Sequence, residues 1–300
     1  MAWKQLVVKT HLQDTAYAED ISEFLSECGA LSTTFSDNED DPIFEPELNK
    51  VELWANTNIT CLFDIDVDLD IIVNMLKEHL KVEVLDYEIQ VVEDQDWVRV
   101  CLDQFHPMKF GEKLWICPSN QTVEDPEAVI VDLDPGLAFG TGSHPTTRMC
   151  LQYLDALAQT EQLQDKVVID YGCGSGILAI AALKLGAKVA YGVDIDPQAI
   201  EATIANAKNN QVAERLETYL VEDFAHQEEQ ADILVANILA GPLVELAPAL
   251  SKLVKPQGLI ALSGILDIKA QDIVAAYSDA FEILSIEYDE EWVRVTGKKK

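Results

Sequence analysis

The chain has 300 residues, 48% of them hydrophobic, and no apolar run near the ~18 residues that a membrane span requires; this fits a globular chain, with two domains as a soft prior. Lys and Arg number 21 against 53 Asp and Glu, a formal charge of −32 that repels nucleic-acid phosphate and draws in cationic partners, although acidity also serves plain solubility. Cysteines at 28, 61, 101, 117, 150 and 173 form no C-x-x-C pair, and the opening MAWKQLVVKTH lacks a signal-peptide apolar core. A reduced, cytoplasmic protein without a disulfide framework or a metal site is expected.

Residues 3–10 alternate apolar and polar, as a strand does. TAYAEDISEFLSECGA then places Ala18, Ile21, Leu25 and Cys28 on one helical face. LSTTF and KVELWANTNITCLFDID read as strands. DLDIIVNMLKEHL reads as a second amphipathic helix with Ile71, Met75 and Leu76 on its buried side, and LDYEIQVVE closes the unit as a strand. Strand, helix, strand, strand, helix, strand is the ferredoxin-like order, and it predicts a small α+β domain over residues 1–92. That order carries no chemistry by itself. Between its second and third strands, SDNEDDPIFEPE holds six acids and no base, so the loop at 37–47 is either a solvated turn or a contact for a cationic partner.

Residues 93–110 read as a partly helical connector ended by Pro107, and residues 111–300 as the catalytic domain. LWICPS and AVIVDLDPG are strands. LDPGLAFGTGSHPTTRMCL, residues 133–151, sets Gly136, Gly140 and Gly142 around Phe139, with the Thr146–Thr147 pair placed to cap the helix that follows. From residue 167 strands and helices alternate, which predicts a mainly parallel sheet covered by helices. FEILSIEYD and WVRVTGK, joined by the short DEE turn, must pair antiparallel.

VVIDYGCGSGILAIAALKLGAKVAYGVDID is the most informative stretch. It reads as a buried strand, a glycine turn, a helix and a second strand ending in acid, the nucleotide-binding half of a doubly wound fold. Gly172, Gly174 and Gly176 fall at G-x-G-x-G, one place early for the dinucleotide register. That spacing resembles motif I of the S-adenosylmethionine-dependent methyltransferases. There the turn faces the methionine part of the cofactor, whose carboxylate suits exposed amides at a helix start. Cys173 reads as a small packing residue, because methyl transfer from a sulfonium needs no thiolate. Asp194, at the end of the second strand, is placed to take both ribose hydroxyls. Asp196 precedes Pro197 and reads as a helix N-cap. Glu222 and Asp223, at the third strand end, are either adenine contacts or solvated acids.

The fourth core strand ends in ANILAGP. Asn237 there either orients an amine beside the transferring methyl or caps the next helix. Several amine methyltransferases carry Asn-Pro-Pro-aromatic at this point, and this chain has Asn237-Ile238-Leu239-Ala240. The glycine loop, the DYGCGSG turn and ANILAGP, in this order, resemble the ribosomal protein L11 methyltransferase family over nearly the whole chain. The resemblance implies a seven-stranded Rossmann-like methyltransferase sheet with one antiparallel strand, preceded by the small recognition domain. It implies S-adenosylmethionine as cofactor, and ribosomal protein L11 as substrate at its N-terminal α-amine and lysine ε-amines. By the same likeness Thr147, Gly172, Asp194 and Asn237 are cofactor contacts, with Phe139, Gly174 and Glu222 as further candidates.

No dedicated base stands out in the motifs; His144 is either a proton acceptor or structural. Catalysis by proximity and desolvation is expected, with Asn237 orienting the amine. Neither nucleic acid nor membrane is an expected partner. A small amine or another protein is the alternative substrate. A nicotinamide oxidoreductase is disfavoured by the glycine register and the lack of a Tyr-x-x-x-Lys pair. A bare binding module would leave the glycine turn unexplained.

Overall fold

The computed structural model describes residues 2–10, 15–39, 43, 53–93, 105–134, 142–224 and 231–300. Cys101, most of the acidic loop and connector, and Gly136, Phe139 and Gly140 lie outside them. The chain divides into two compact units, Met1–Asp96 and Trp97–Lys300.

The first unit runs β1 (Ala2–Thr10), α1 (Thr15–Glu27), β2 (Ser32–Asp37), β3 (Thr57–Asp64), α2 (Leu69–Leu80) and β4 (Tyr87–Glu93). Its sheet has the order β2-β3-β1-β4, with every pair antiparallel. Alternation sets its inner face: Thr57, Ile59, Cys61 and Phe63 of β3 are buried, as are Leu6 and Val8 of β1. Asp68 caps α2 by accepting the Asp70 N–H at 3.1 Å. The phase of α2 differs from the expectation. Ile71 and Met75 are 57% and 46% exposed, and Leu69, Ile72, Val73 and Leu76 are buried instead. Those four form an i, i+3, i+4, i+7 stripe, and burying each at roughly 1.5–3 kcal/mol outweighs the two aliphatic side chains left outside.

The second unit opens with a three-stranded sheet of β5 (Met108–Phe110), β6 (Leu114–Cys117) and β7 (Val129–Asp132). β5 falls inside the stretch expected to be connector and pairs antiparallel with β6. The tight turn between them is held by Asp155, buried in α3 (Pro145–Gln159). Its carboxylate accepts the N–H groups of Glu112 at 2.8 Å and of Lys113 and Leu114 at 3.1 Å. A Cβ on Gly111 would lie 2.3 Å from Asp155 Oδ2, so only glycine fits that turn. α3 itself begins earlier than expected. His144 is its N-cap, Pro145 fills the first position, and Thr146 and Thr147 lie buried inside the first turn rather than capping it.

Then follow β8 (Val167–Tyr171), α4 (Ile177–Lys184), β9 (Val189–Asp194), α5 (Pro197–Asn209), β10 (Leu216–Leu220), α6 (Val221–Phe224), β11 (Ala231–Asn237), α7 (Ala240–Leu253), β12 (Val254–Leu266), α8 (Ala270–Tyr277), β13 (Phe281–Asp289) and β14 (Trp292–Lys299). They build one seven-stranded sheet of order β10-β9-β8-β11-β12-β14-β13. β14 is its one antiparallel strand, slotted between β12 and β13. The central strands read as continuous apolar runs because helices cover both faces. Ile177–Leu183 of α4 is buried all round for the same reason. Its N-cap, Gly176, offers no side chain. Asp170 of β8 supplies the missing acceptor, taking the Ala179 N–H at 3.0 Å.

Candidate active site

A cavity of about 380 Å³ opens at the carboxyl ends of β8, β9, β10 and β11. The chain order reverses between β8 and β11, and ligands of open parallel sheets bind at such a reversal. Gly172, Gly174, Asp194 and Asn237, read from sequence as binding residues, all line it.

The glycine turn is fixed from three sides. Gly172 has φ +80, and a Cβ there would sit 2.2 Å from Ile238 Cγ2. Asp194 Oδ2 accepts the Gly174 N–H at 2.9 Å. From α5, Thr203 Oγ1 donates to the Gly174 carbonyl at 3.0 Å and Asn206 Nδ2 to the Ser175 carbonyl at 2.8 Å. Sequence reasoning passed over Thr203 and Asn206. The signal was there: Thr203 is a polar residue in the buried Ala199–Thr203–Ala207 row. Cys173 is buried against Thr203 and Gly192, and burial pushes its thiol pKa well up, as suits a packing residue.

Asp194 therefore has a structural task besides any ligand. Its Oδ1 also accepts the Asp196 N–H at 3.0 Å. Asp196 is the N-cap of α5, accepting the Gln198 N–H at 2.8 Å ahead of Pro197. Asp170 lies beneath the turn, 1% exposed. Its Oδ2 takes the Ala179 N–H, and its Oδ1 has no hydrogen-bond partner among the described residues. Burial first, then the charge of Asp194, push its carboxyl up to about 7.

Asn237 does not cap α7, whose N-cap is Leu239. Its Nδ2 donates to Oγ1 of Thr147 at 3.1 Å, which leaves the amide oxygen for a ligand. Thr147 is 1% exposed and lies behind Asn237. Ile238 is pinched between Gly172 and Gly264, whose φ is +83 and whose Cβ would fall 2.4 Å from the Ile238 carbonyl oxygen. The outer wall is apolar: Tyr171, Val221, Ile238, Leu239, Pro242 and Leu246. Val221, rather than Glu222, faces the cavity. Glu222 and Asp223 are exposed in α6, which replaces the strand end expected there. His144 stacks edge-on against Trp292 at 4.9 Å, and burial lowers its pKa.

A sequence profile of the ribosomal protein L11 methyltransferases matches residues 2–300. The chain belongs to the ribosomal protein L11 methyltransferase family. The enzyme of that name in Pasteurella multocida is 53% identical over 99% of both chains. That of Actinobacillus pleuropneumoniae serotype 5b is 54% identical over the full length of both. The crystal structure of the ribosomal protein L11 methylase of Lactobacillus delbrueckii subsp. bulgaricus superposes with a TM-score of 0.58 at 32% identity. It covers 65% of this chain and all of its own. As a member of this family the chain is an S-adenosylmethionine-dependent protein methyltransferase. The cavity suits that cofactor: its volume lies in the roughly 300–1,000 Å³ range of small-molecule sites. A glycine turn, the carboxylate of Asp194 and an apolar wall surround it.

Proposed function

We propose that this chain methylates the N-terminal α-amine and lysine ε-amines of ribosomal protein L11. The observation that carries the reading is the meeting of Gly172, Gly174, Asp194 and Asn237 around one cavity at the sheet reversal. When bound there, S-adenosylmethionine supplies a methyl group activated by its sulfonium. The glycine turn and Asp194 hold the cofactor, Asp194 through its ribose. Gly174 contributes its backbone, and Phe139 is a further contact carried by the family likeness. Asn237 holds the incoming amine: with Nδ2 engaged by Thr147, its oxygen accepts an amine N–H and so aims the nitrogen lone pair. The amine must be neutral, and a lysine has a reference pKa of about 10.4. The apolar wall formed by Ile238, Leu239, Pro242 and Leu246 disfavours the ammonium form. No side chain is needed as a dedicated base.

The first unit is read as a ferredoxin-like recognition module over residues 1–92, supported by its β-α-β-β-α-β order and the antiparallel sheet β2-β3-β1-β4. The connector lies between β4 and β5, and the catalytic domain takes in β5 from Met108 onward. The charge of −32 favours a lysine-rich protein over nucleic acid as the target. No helix among the described residues is long and apolar enough to cross a membrane, and the proposed place of action is the cytoplasm. The test is transfer of labelled methyl to purified L11 by the full chain and by a fragment of residues 105–300. The full chain should label L11, and the fragment should bind S-adenosylmethionine yet label L11 poorly. No labelling by the full chain overturns the substrate, and full-rate labelling by the fragment overturns the recognition role.

A further inference from the structure

β12 departs from regular pairing where it passes the active site. Leu262 stands opposite Val295 of β14 and Ile265 opposite Val293, so Ser263 and Gly264 together face the single residue Arg294. β12 therefore holds one extra residue, a bulge of the kind that re-aims side chains beside active sites. On its other side β12 runs parallel to β11, and there Ser263 stands opposite Asn237, the last residue of that strand. The bulge lies beside the residue that aims the amine.

Two links tie this bulge to Asn237. The first runs through backbone. A Cβ built on Gly264 would fall 2.4 Å from the Ile238 carbonyl oxygen, 2.8 Å from its carbonyl carbon and 3.0 Å from its nitrogen. That nitrogen is bonded to the Asn237 carbonyl carbon, so the peptide leaving Asn237 rests in a space that only glycine leaves open. The second link runs through side chains. Ser263, fully buried, offers its hydroxyl to the carbonyl oxygens of Thr146 and Val293, each at 3.3 Å. Thr146 is followed by Thr147, whose Oγ1 accepts from Asn237 Nδ2. Main chain and amide of Asn237 are thus both referred to one bulge.

A bulge that served only to end regular pairing would account for the φ of Gly264 but not for the close approach of three Ile238 backbone atoms. Those atoms have no rotamer by which to escape a new side chain. Ordinary contacts of a Cβ begin at 3.4 Å, so a side chain at 264 would drive the Ile238 peptide back by about 1 Å. A misplacement of about 1 Å at a catalytic group can cost roughly 100-fold in rate.

We infer that Gly264 is a positioning residue for methyl transfer: its bulge seats the Ile238 peptide and so fixes where the Asn237 amide oxygen meets the amine. The inference rests on the role of Asn237 proposed above. Its test is a double-mutant cycle of Gly264→Ala and Asn237→Ala in the full chain. The readout is kcat for labelled methyl transfer to L11 at saturating S-adenosylmethionine. G264A should lower kcat at least ~10-fold in the wild-type background. On top of N237A it should cost less than ~3-fold, because the group it misplaces is already gone. A merely structural loss would multiply in both backgrounds. Ser263→Ala keeps the bulge and removes only its hydroxyl; it should lower kcat about 3-fold, and leave kcat unchanged on top of N237A. Wild-type turnover in G264A, or losses that multiply in the cycle, overturn the inference, and S263A decides by the same criteria if G264A does not fold. Wild-type turnover in N237A would instead overturn the amine-aiming role itself, and the inference with it.

Discussion

Replacing Asp194 by alanine separates two tasks that the structure assigns to one carboxylate. Without cofactor, Asp194 accepts the part-buried N–H of Gly174 at 2.9 Å and the exposed N–H of Asp196 at 3.0 Å. Hydrogen bonds to a charged group contribute about 1.5–3 kcal/mol each when buried, and the exposed one less, so losing both should cost about 2–3 kcal/mol of stability in the free enzyme. Loss of two charge-assisted bonds to ribose hydroxyls should weaken cofactor binding by a further 2–4 kcal/mol, roughly 30- to 700-fold. The first quantity is read by denaturant unfolding without ligand and the second by calorimetric titration with S-adenosylmethionine. Asp194→Asn keeps one acceptor and should fall between. Asp196→Ala serves as a control: it removes only the N-cap of α5, about 1 kcal/mol, and should leave affinity unchanged. If Asp194→Ala loses stability but binds cofactor normally, the carboxylate is a turn anchor and the ribose assignment fails.

Asn237→Ala should lower kcat at saturating cofactor by at least ~10-fold, equivalent to ~1.4 kcal/mol, and wild-type turnover would remove Asn237 from amine orientation. Asp155→Ala strands three backbone N–H groups at the β5–β6 turn and should destabilise the second unit by about 3–5 kcal/mol in urea unfolding; a loss under about 1 kcal/mol contradicts the anchor. Asp170 holds its proton up to about pH 7 in the folded chain, whereas an unfolded aspartate releases it near 3.9. The folded state binds the extra proton between those values, so this group's contribution to stability falls as pH rises from about 4 to 7 and is level above that. Melting temperatures of Asp170→Asn and wild type should therefore diverge in the variant's favour across that window, and parallel curves would falsify the raised pKa.

Local pattern was enough for much of this protein. The period-two and helical stripes located the strands and helices of both units, because each element had to bury one face. The glycine turn could be read from the spacing of Gly172, Gly174 and Gly176, and at Gly172 a side chain would strike Ile238. Asp194 and Asn237 were legible as strand-end residues, and Asp196–Pro197 as a helix start. The tertiary structure decided what these groups touch. Asn237 meets Thr147 ninety positions earlier in the chain, and the Gly174 carbonyl meets Thr203 twenty-nine positions later. Glu222 was displaced from the cavity when β10 stopped at Leu220 and a short helix followed. The outward turn of Ile71 and Met75 came from the competing stripe of Leu69, Ile72, Val73 and Leu76, which all four could bury at once. Periodicity states that a face is buried without naming its partner. The partner is set by sheet register and helix packing, which couple residues far apart in the chain.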